Sequence, residues 1–441
     1  SFDGQTRKMK EITKCEVCGN SVLTTVIDLG LHPMCDDLIP IGDDRVCEKY
    51  PIEICFCEEC YTAHQRFQIP KKKLFPESYH YRARLTPSVL SGMLDLVESC
   101  EQRVDSLKGK TVLDVGCNDG SLLDIFSSKG CRTIGVEPTK AALDSKHKTL
   151  NCFFDKDAAE EVLTIVGKPD IITFTNVFAH IENLTELLSN LKLIIGDKTI
   201  VVIENHYLGA ILQTDQFDTF YHEHPRTYSF RSFKYISKSL GLTFQDVQFV
   251  NRYGGNIRAY LGHDKKPLAN IDESSFIQLF NTMNKNLLSW KMEILASINS
   301  LVDKYGPLVA KAFPGRAAII IEYLELNESH LSAVYEIKGS KKVGYYVPGT
   351  KIPILPEAEL FSKKHFPDII INLAWHIPTE VYANLSAHGY NGKMINIKDL
   401  KFGYKKTEVL FDGLKLNTEL GNIYGLLGRN GAGKTTLLYL M

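Results

Sequence analysis

Four groups of residues in this sequence have types and spacings suited to chemistry. The densest is Asp218-Thr-Phe-Tyr221-His222-Glu223-His224-Pro-Arg226-Thr-Tyr228, where two histidines flank a glutamate between tyrosines. Histidine titrates near neutral pH and is the usual general base. A neighbouring glutamate can orient its ring or raise its basicity. A metal cluster is a competing reading. However, adjacent residues rarely converge on one ion, and the H-E-x-x-H spacing is absent. A structural hydrogen-bond cluster is the third reading, and proton transfer is the one favoured. The second group pairs Cys15-Glu-Val-Cys18 with Cys57-Glu-Glu-Cys60. Two C-x-x-C bends bring four thiolates to one ion, and a closed tetrahedral sulfur site suits structural zinc. Cys35 and Cys55 lie close enough in sequence to leave the ligand set open, and four unrelated free cysteines are the alternative. The third group is Thr111 to Gly120, TVLDVGCNDG, followed by Glu137. Its glycines allow a tight turn and close approach of a ligand to the backbone, and the acid can accept from ribose hydroxyls. The fourth is Tyr253-Gly-Gly-Asn256-Ile-Arg258. Backbone access beside a cationic fork suits phosphate or carboxylate, although a β-turn with a salt bridge reads the same way.

The elements that must position these groups are those of an α/β protein. Thr111–Val115 is strand-like, Ser121–Phe126 helix-like, and Thr133–Val136 a second strand ending in Glu137. The turn reads GxxxG and so departs from the three-glycine dinucleotide fingerprint. Asp170–Thr175 is a buried strand with Asn176 to His180 at its carboxyl end, where open α/β sheets bind ligands. Thr199–Glu204 is a further strand, followed by Asn205, His206 and Tyr207. A β-rich insert, 22–54, separates the cysteine pairs, and a helical run is expected over 86–107. Tyr79 and Tyr81 precede that helix and read as core aromatics. The 441 residues predict two to four domains. With 51 basic and 52 acidic residues, nothing pulls the whole chain toward nucleic acid or an anionic membrane. No apolar run reaches the ~18 residues of a membrane span. Eleven cysteines, several in C-x-x-C pairs, fit a reducing compartment, and a cytoplasmic protein is expected. A start without Met suggests a processed or tag-cleaved terminus.

The form D-V-G-C-x-D-G resembles motif I of class I S-adenosylmethionine (SAM) methyltransferases. The resemblance implies that Asp114, Gly116, Asn118, Gly120, Glu137 and Asn176 hold SAM. The order CxxC…CxxC, DVGCNDG, NVFAHI, YHEH, YGGNIR resembles the sugar 3-C-methyltransferases of deoxysugar biosynthesis, over residues 12 to 397. That family implies a zinc-binding module at 12–75 and a Rossmann-like class I SAM domain at 76–262. A second Rossmann-like domain, for the nucleotide-sugar, would occupy 263–397. In this last part Leu308–Glu325 reads as strand, AFPGR turn and helix, and Asp368–Pro378 as a strand with its exit loop. Glu336 stands where the family pattern has Asp, and the AFPGR loop is less glycine-rich than usual. The implied reaction removes the C-3 proton of a dTDP- or GDP-linked 4-keto-6-deoxy sugar and methylates the carbanion. His224 is then the base, Glu223, Tyr221, His180 and Tyr79 its neighbours and oxyanion-side donors, and Asn256 and Arg258 bind substrate.

From about Lys398 the chain changes character. Gly428-Arg-Asn-Gly-Ala-Gly433-Lys434-Thr435 is a phosphate-loop pattern, with Lys434 on phosphates and Thr435 on magnesium. Residues 398–441 resemble the opening of an ABC transporter ATPase, with Tyr404 as the adenine-stacking aromatic. No Walker B acid or signature follows before Met441, so a truncated segment without ATPase activity is expected, and ATP and magnesium are cofactors only if it functions. An O- or N-methyltransferase, a non-catalytic zinc-containing SAM-fold binding protein and a transporter ATPase are the alternative readings.

Overall fold

The computed structural model describes residues 9–75, 87–263, 266 and 268–399. The N-terminal module is an antiparallel sheet of β1 (Thr24–Pro33), β2 (Lys49–Cys57) and β3 (Thr62–Gln65). The cysteine pairs lie just before β1 and across the β2–β3 turn, so pairing β2 with β3 closes one knuckle.

Helix α1 (Pro87–Glu101) leads into the central sheet. It stops six residues short of the expected Leu107 because the chain turns, with Asp105 at φ 61. The central strands are β4 (Thr111–Val115), β5 (Arg132–Val136), β6 (Lys148–Leu150), β7 (Ile171–Thr175) and β8 (Ile200–His206). They are parallel; β4 is buried along its whole length and β7 in all but its last residue, as a sheet covered on both faces requires. Helices α2 (Ser121–Ser128), α3 (Lys156–Val166) and α4 (Leu184–Ile194) connect them. Asp155 and Asn183 cap α3 and α4 by accepting from Ala158 N and Glu186 N, which fixes where each helix starts. A two-residue strand, β9 (Arg226–Thr227), leaves this domain and pairs with β3 of the N-terminal module. Strands β10 (Thr243–Val250) and β11 (Asn256–Gly262) close the central sheet antiparallel. The order is β10-β11-β8-β7-β4-β5-β6, the class I methyltransferase arrangement. Strand order reverses at β4, so the ligand crevice lies beyond its carboxyl end.

A 30-residue helix, α5 (Phe276–Tyr305), precedes a second parallel sheet. Its strands are β12 (Leu308–Lys311), β13 (Leu331–Glu336), β14 (Ile354–Pro356), β15 (Ile369–Asn372) and β16 (Lys393–Asn396), in the order β14-β13-β12-β15-β16. Helix α6 (Ala317–Tyr323) crosses from β12 toward β13. One core runs through three regions: Ile27, Ile54 and Phe56 of the N-terminal sheet, Phe280 and Ile294 of α5, and Ile319 and Ile371 of the C-terminal domain. The N-terminal module is therefore packed on α5 and the second sheet as well as tied to the central domain through β9. Among the described residues no helix is long and apolar enough to cross a membrane.

Candidate functional site

Cys15, Cys18, Cys57 and Cys60 place four sulfurs within 4.8 Å of one another. Cys15 and Cys60 are 3.4 Å apart at Sγ, and Cys18 and Cys57 3.5 Å. A tetrahedral ion with metal–sulfur bonds of about 2.3 Å spaces its sulfurs about 3.8 Å apart, so small adjustments fit zinc. All eleven cysteines are free thiols. Thr62 Oγ1 and Asn20 Nδ2 lie 3.1 Å and 3.6 Å from the Cys60 and Cys57 sulfurs and orient them. Cys55 turns its thiol toward the His64 carbonyl, and Cys35 lines a distant cavity, so neither joins the four. Four sulfur ligands leave no position open for a substrate.

That cavity, ≈ 850 Å³, lies where the carboxyl ends of the two parallel sheets meet. On the central side the chain turns sharply after β4. Gly116 has φ +75, and a Cβ there would meet the Val177 side chain at 2.5 Å, so only glycine fits. Asn118 and Asn176 also have positive φ, 50 and 54, a conformation asparagine tolerates better than most residues. Asp114, Gly116, Asn118, Glu137 and Asn176 all line the cavity. Gly120 does not; at φ +79 it turns the chain into α2. Asp114 accepts from Thr173 Oγ1 at 2.7 Å, and burial pushes its carboxyl up to about 7. Glu137 accepts from Asn118 N, Thr139 N and Thr139 Oγ1 at 2.7–3.0 Å. A carboxylate has about four lone-pair positions, so one remains for an incoming hydroxyl.

The histidine wall stands opposite. His180, Tyr221, Glu223 and His224 all line the cavity. The His224 ring centre is 4.1 Å from that of Tyr221, 4.8 Å from His180 and 5.3 Å from His206. Phe75 stacks on His180 with ring centres 5.4 Å apart. His224 Nδ1 lies 2.8 Å from the Thr219 carbonyl, which can only accept. The ring proton therefore sits on Nδ1, and the neutral imidazole keeps a bare Nε2. Burial lowers the His224 pKa to about 4, and the nearby Arg316 cation acts the same way. His222, two residues earlier, faces away: its Nε2 donates to the Tyr50 carbonyl in the N-terminal module. Burial holds the Cys35 thiol well above its ordinary value, with Glu223 adding to it, so that sulfur is no nucleophile.

Asn256 and Arg258 require a correction. Neither lines the cavity, and Arg258 is 1% exposed within the sheet. Its guanidinium donates to Glu204 at 2.7 Å, to Gln248 at 2.8 Å and to Asp95 at 2.8 Å. The cation is spent on an internal acid and cannot also hold a substrate anion. Asn256 Nδ2 donates to Asn176 Oδ1 at 3.2 Å, so it supports the cavity wall from behind. The sequence placed His206 at a strand end and Tyr253 in the glycine-pair group without giving either a role, and it gave no signal for Arg316 or His376; all four line the cavity, as do Lys338, Lys341 and Lys342 beyond β13. His206 and Lys338 obey the carboxyl-end rule that pointed to His180. Tyr79, Tyr404, Gly428, Gly433, Lys434 and Thr435 lie outside the described residues.

Three protein-family models match successive parts of the chain. They describe a zinc binding domain over 15–75, a methyltransferase domain over 86–251 and a C-methyltransferase C-terminal domain over 252–397. The chain is 26% identical over 401 residues to the C-methyltransferase NovU of Streptomyces niveus, covering 87% of this chain and 94% of that one. A 51-residue stretch is 43% identical to the zinc import ATP-binding protein ZnuC of Ehrlichia ruminantium, covering 12% of this chain and 21% of that one. Among solved structures, magnesium protoporphyrin IX methyltransferase from Synechocystis PCC 6803 with bound SAM aligns at 13% identity. It covers 39% of this chain and 79% of that one, with a TM-score of 0.31.

Proposed function

We propose a chemical step and a substrate class for a chain that belongs to the SAM-dependent C-methyltransferases. The substrate is a nucleotide-linked 4-keto-6-deoxy sugar, and the methyl group goes to the carbon beside the ketone. One observation carries this reading: His224 is buried, neutral and held as the Nδ1–H tautomer in the wall of the cavity. Methylation of an amine or hydroxyl has less need of so prepared a base, whereas carbon must first lose a proton. His224 Nε2 takes the C-3 proton, and the electron pair of that C–H bond moves into an enolate whose charge settles on the ketone oxygen. Tyr221 and His180, against the His224 ring, are the donors for that oxygen, and Glu223 orients the group. SAM, held by Asp114, Gly116, Asn118, Glu137 and Asn176, supplies an electrophilic methyl.

Support for the nucleotide comes from the far end of the cavity. Lys338, Lys341 and Lys342 line it beside Glu336, at the carboxyl end of β13. Lysines there suit a diphosphate, and an acid at a strand end suits a ribose. The cavity volume, near the upper end for small-molecule sites, accommodates cofactor and substrate together. The curated relative NovU is itself named a C-methyltransferase. Zinc at the four cysteines is structural. The test is mass spectrometry of dTDP- and GDP-4-keto-6-deoxyhexoses incubated with enzyme and SAM. A gain of one methyl, lost in His224→Asn while SAM still binds, is expected. A fully active His224→Asn would remove the base from this account.

A further inference from the structure

The base does not stand on the central domain alone. Arg316 follows the β12 exit turn of the C-terminal domain and is 5% exposed. Among the described residues, its guanidinium hydrogen-bonds only to the central domain. Nε donates to Asp218 Oδ2 at 2.8 Å, and Nη1 to the Tyr253 carbonyl at 2.8 Å. Nη2 donates to Thr219 Oγ1 at 2.7 Å, to Gln216 Oε1 at 3.1 Å and to Asp218 Oδ1 at 3.3 Å. Trp375, also of the C-terminal domain, donates Nε1–H to Asp218 Oδ2 at 2.8 Å and lies 4.8 Å beneath the guanidinium. Asp218 is fully buried. With its donors so engaged, Arg316 is not a substrate ligand although it lines the cavity.

These contacts meet at one residue. Arg316 holds the Thr219 hydroxyl, and the Thr219 carbonyl holds His224 Nδ1. We propose that Arg316 is a positioning residue for the base: docking of the C-terminal domain decides which His224 nitrogen carries the proton and where the ring stands. A planar fork fixes the turn in a way that a single ammonium does not. Without the fork the Thr219 carbonyl is free to rotate, and the imidazole loses the acceptor that selects its tautomer. A tautomer with the proton on Nε2 cannot act as base. This inference rests on the reading of His224 as the base.

The test compares full-length Arg316→Lys and Arg316→Met with wild type and His224→Asn. Three quantities are measured: SAM affinity by calorimetry, deuterium uptake beside the ketone of the dTDP-4-keto sugar in deuterated water without SAM, and the ¹⁵N imidazole spectrum of His224. The expected result is SAM affinity within about twofold of wild type and exchange slowed about a hundredfold in Arg316→Met, the size of a roughly 1 Å misplacement. Arg316→Lys should fall between, and the Nδ1–H signature should be lost in Arg316→Met. Should that variant fail to fold, Arg316→Lys carries the comparison. Wild-type exchange with an unchanged His224 spectrum in a folded Arg316 variant overturns the proposal while leaving the base reading intact. Exchange that persists in His224→Asn overturns the base reading, and this role for Arg316 with it.

Discussion

Burial keeps His224 unprotonated but lowers its basicity, so its role as base rests on its position and tautomer. A solvated histidine at neutral pH is partly charged, whereas this one, lowered to about 4, is neutral with its lone pair on Nε2. Asp114 shows the opposite sign. Burial pushes its carboxyl up to about 7, against the Thr173 hydroxyl and with the charge of Glu137. Its folded pKa lies above its unfolded one, so its contribution to stability is present below about pH 4 and lost as pH rises to about 7. At pH 8 a buried carboxylate remains, and a bound cation would offset it. Asp114→Asn is therefore expected to raise the melting temperature of the cofactor-free protein at pH 8 by about 2–4 °C. It should change little at pH 4 and weaken SAM about tenfold; calorimetry at both pH values checks this. The residues legible in the sequence were those at strand ends, because a positional rule selects them. Arg258 was misread because an arginine after a glycine pair looks the same whether it faces a ligand or a buried acid. Its partner, Glu204, stands 54 positions away in the sequence.

At the scale of elements, the zinc knuckle bears directly on the base. Glu16 sits between Cys15 and Cys18, and its carboxylate takes the Arg226 guanidinium at 2.6 Å. Arg226 is fully buried in β9 and also donates to the carbonyls of Ile181 and Glu182, just beyond His180. One cation thus ties the knuckle to both histidine segments. Gln65 of β3 adds donors to the Phe220 and Tyr221 carbonyls, inside the base loop. Removing Glu16 leaves an uncompensated buried cation, which costs about 3–5 kcal/mol. Glu16→Ala should show this loss in denaturant titration while retaining its zinc by elemental analysis. Loss of zinc from that variant would mean that the knuckle, not the ion pair, had been broken. The C-x-x-C pairs were legible because metal chemistry constrains their spacing. The pairing of β9 with β3 was not, because two residues carry no periodicity and their partners lie in another domain.

At the scale of the whole molecule, two parallel sheets present their carboxyl ends to one cavity, and the N-terminal module braces the loop between them. Among the described residues, seven histidines are held below their ordinary range, chiefly by burial: His32, His64, His222 and His224 at about 4, His376 at about 3, and His180 and His206 well below it. Their folded pKa values lie below the unfolded ones, so the stability they contribute is present above about pH 6.5 and lost as pH falls toward 4. Each proton taken up only by the unfolded chain removes about 1.4 kcal/mol per pH unit, and Asp114 opposes with a single group. The melting temperature should therefore drop steeply between pH 6.5 and 5; a flat profile there would contradict the burial described. The succession of α/β units was legible at this scale, from alternating strands and turns. The shared core along α5 was not, because packing between distant segments leaves no local pattern. The most direct test of the central claim is proton exchange uncoupled from methyl transfer. The dTDP-4-keto-6-deoxy sugar is incubated with enzyme in deuterated water without SAM and weighed by mass spectrometry. One deuterium taken up beside the ketone, abolished by His224→Asn, is predicted. No uptake with wild-type enzyme that binds both SAM and the sugar would contradict it and point to hydroxyl or amine acceptors.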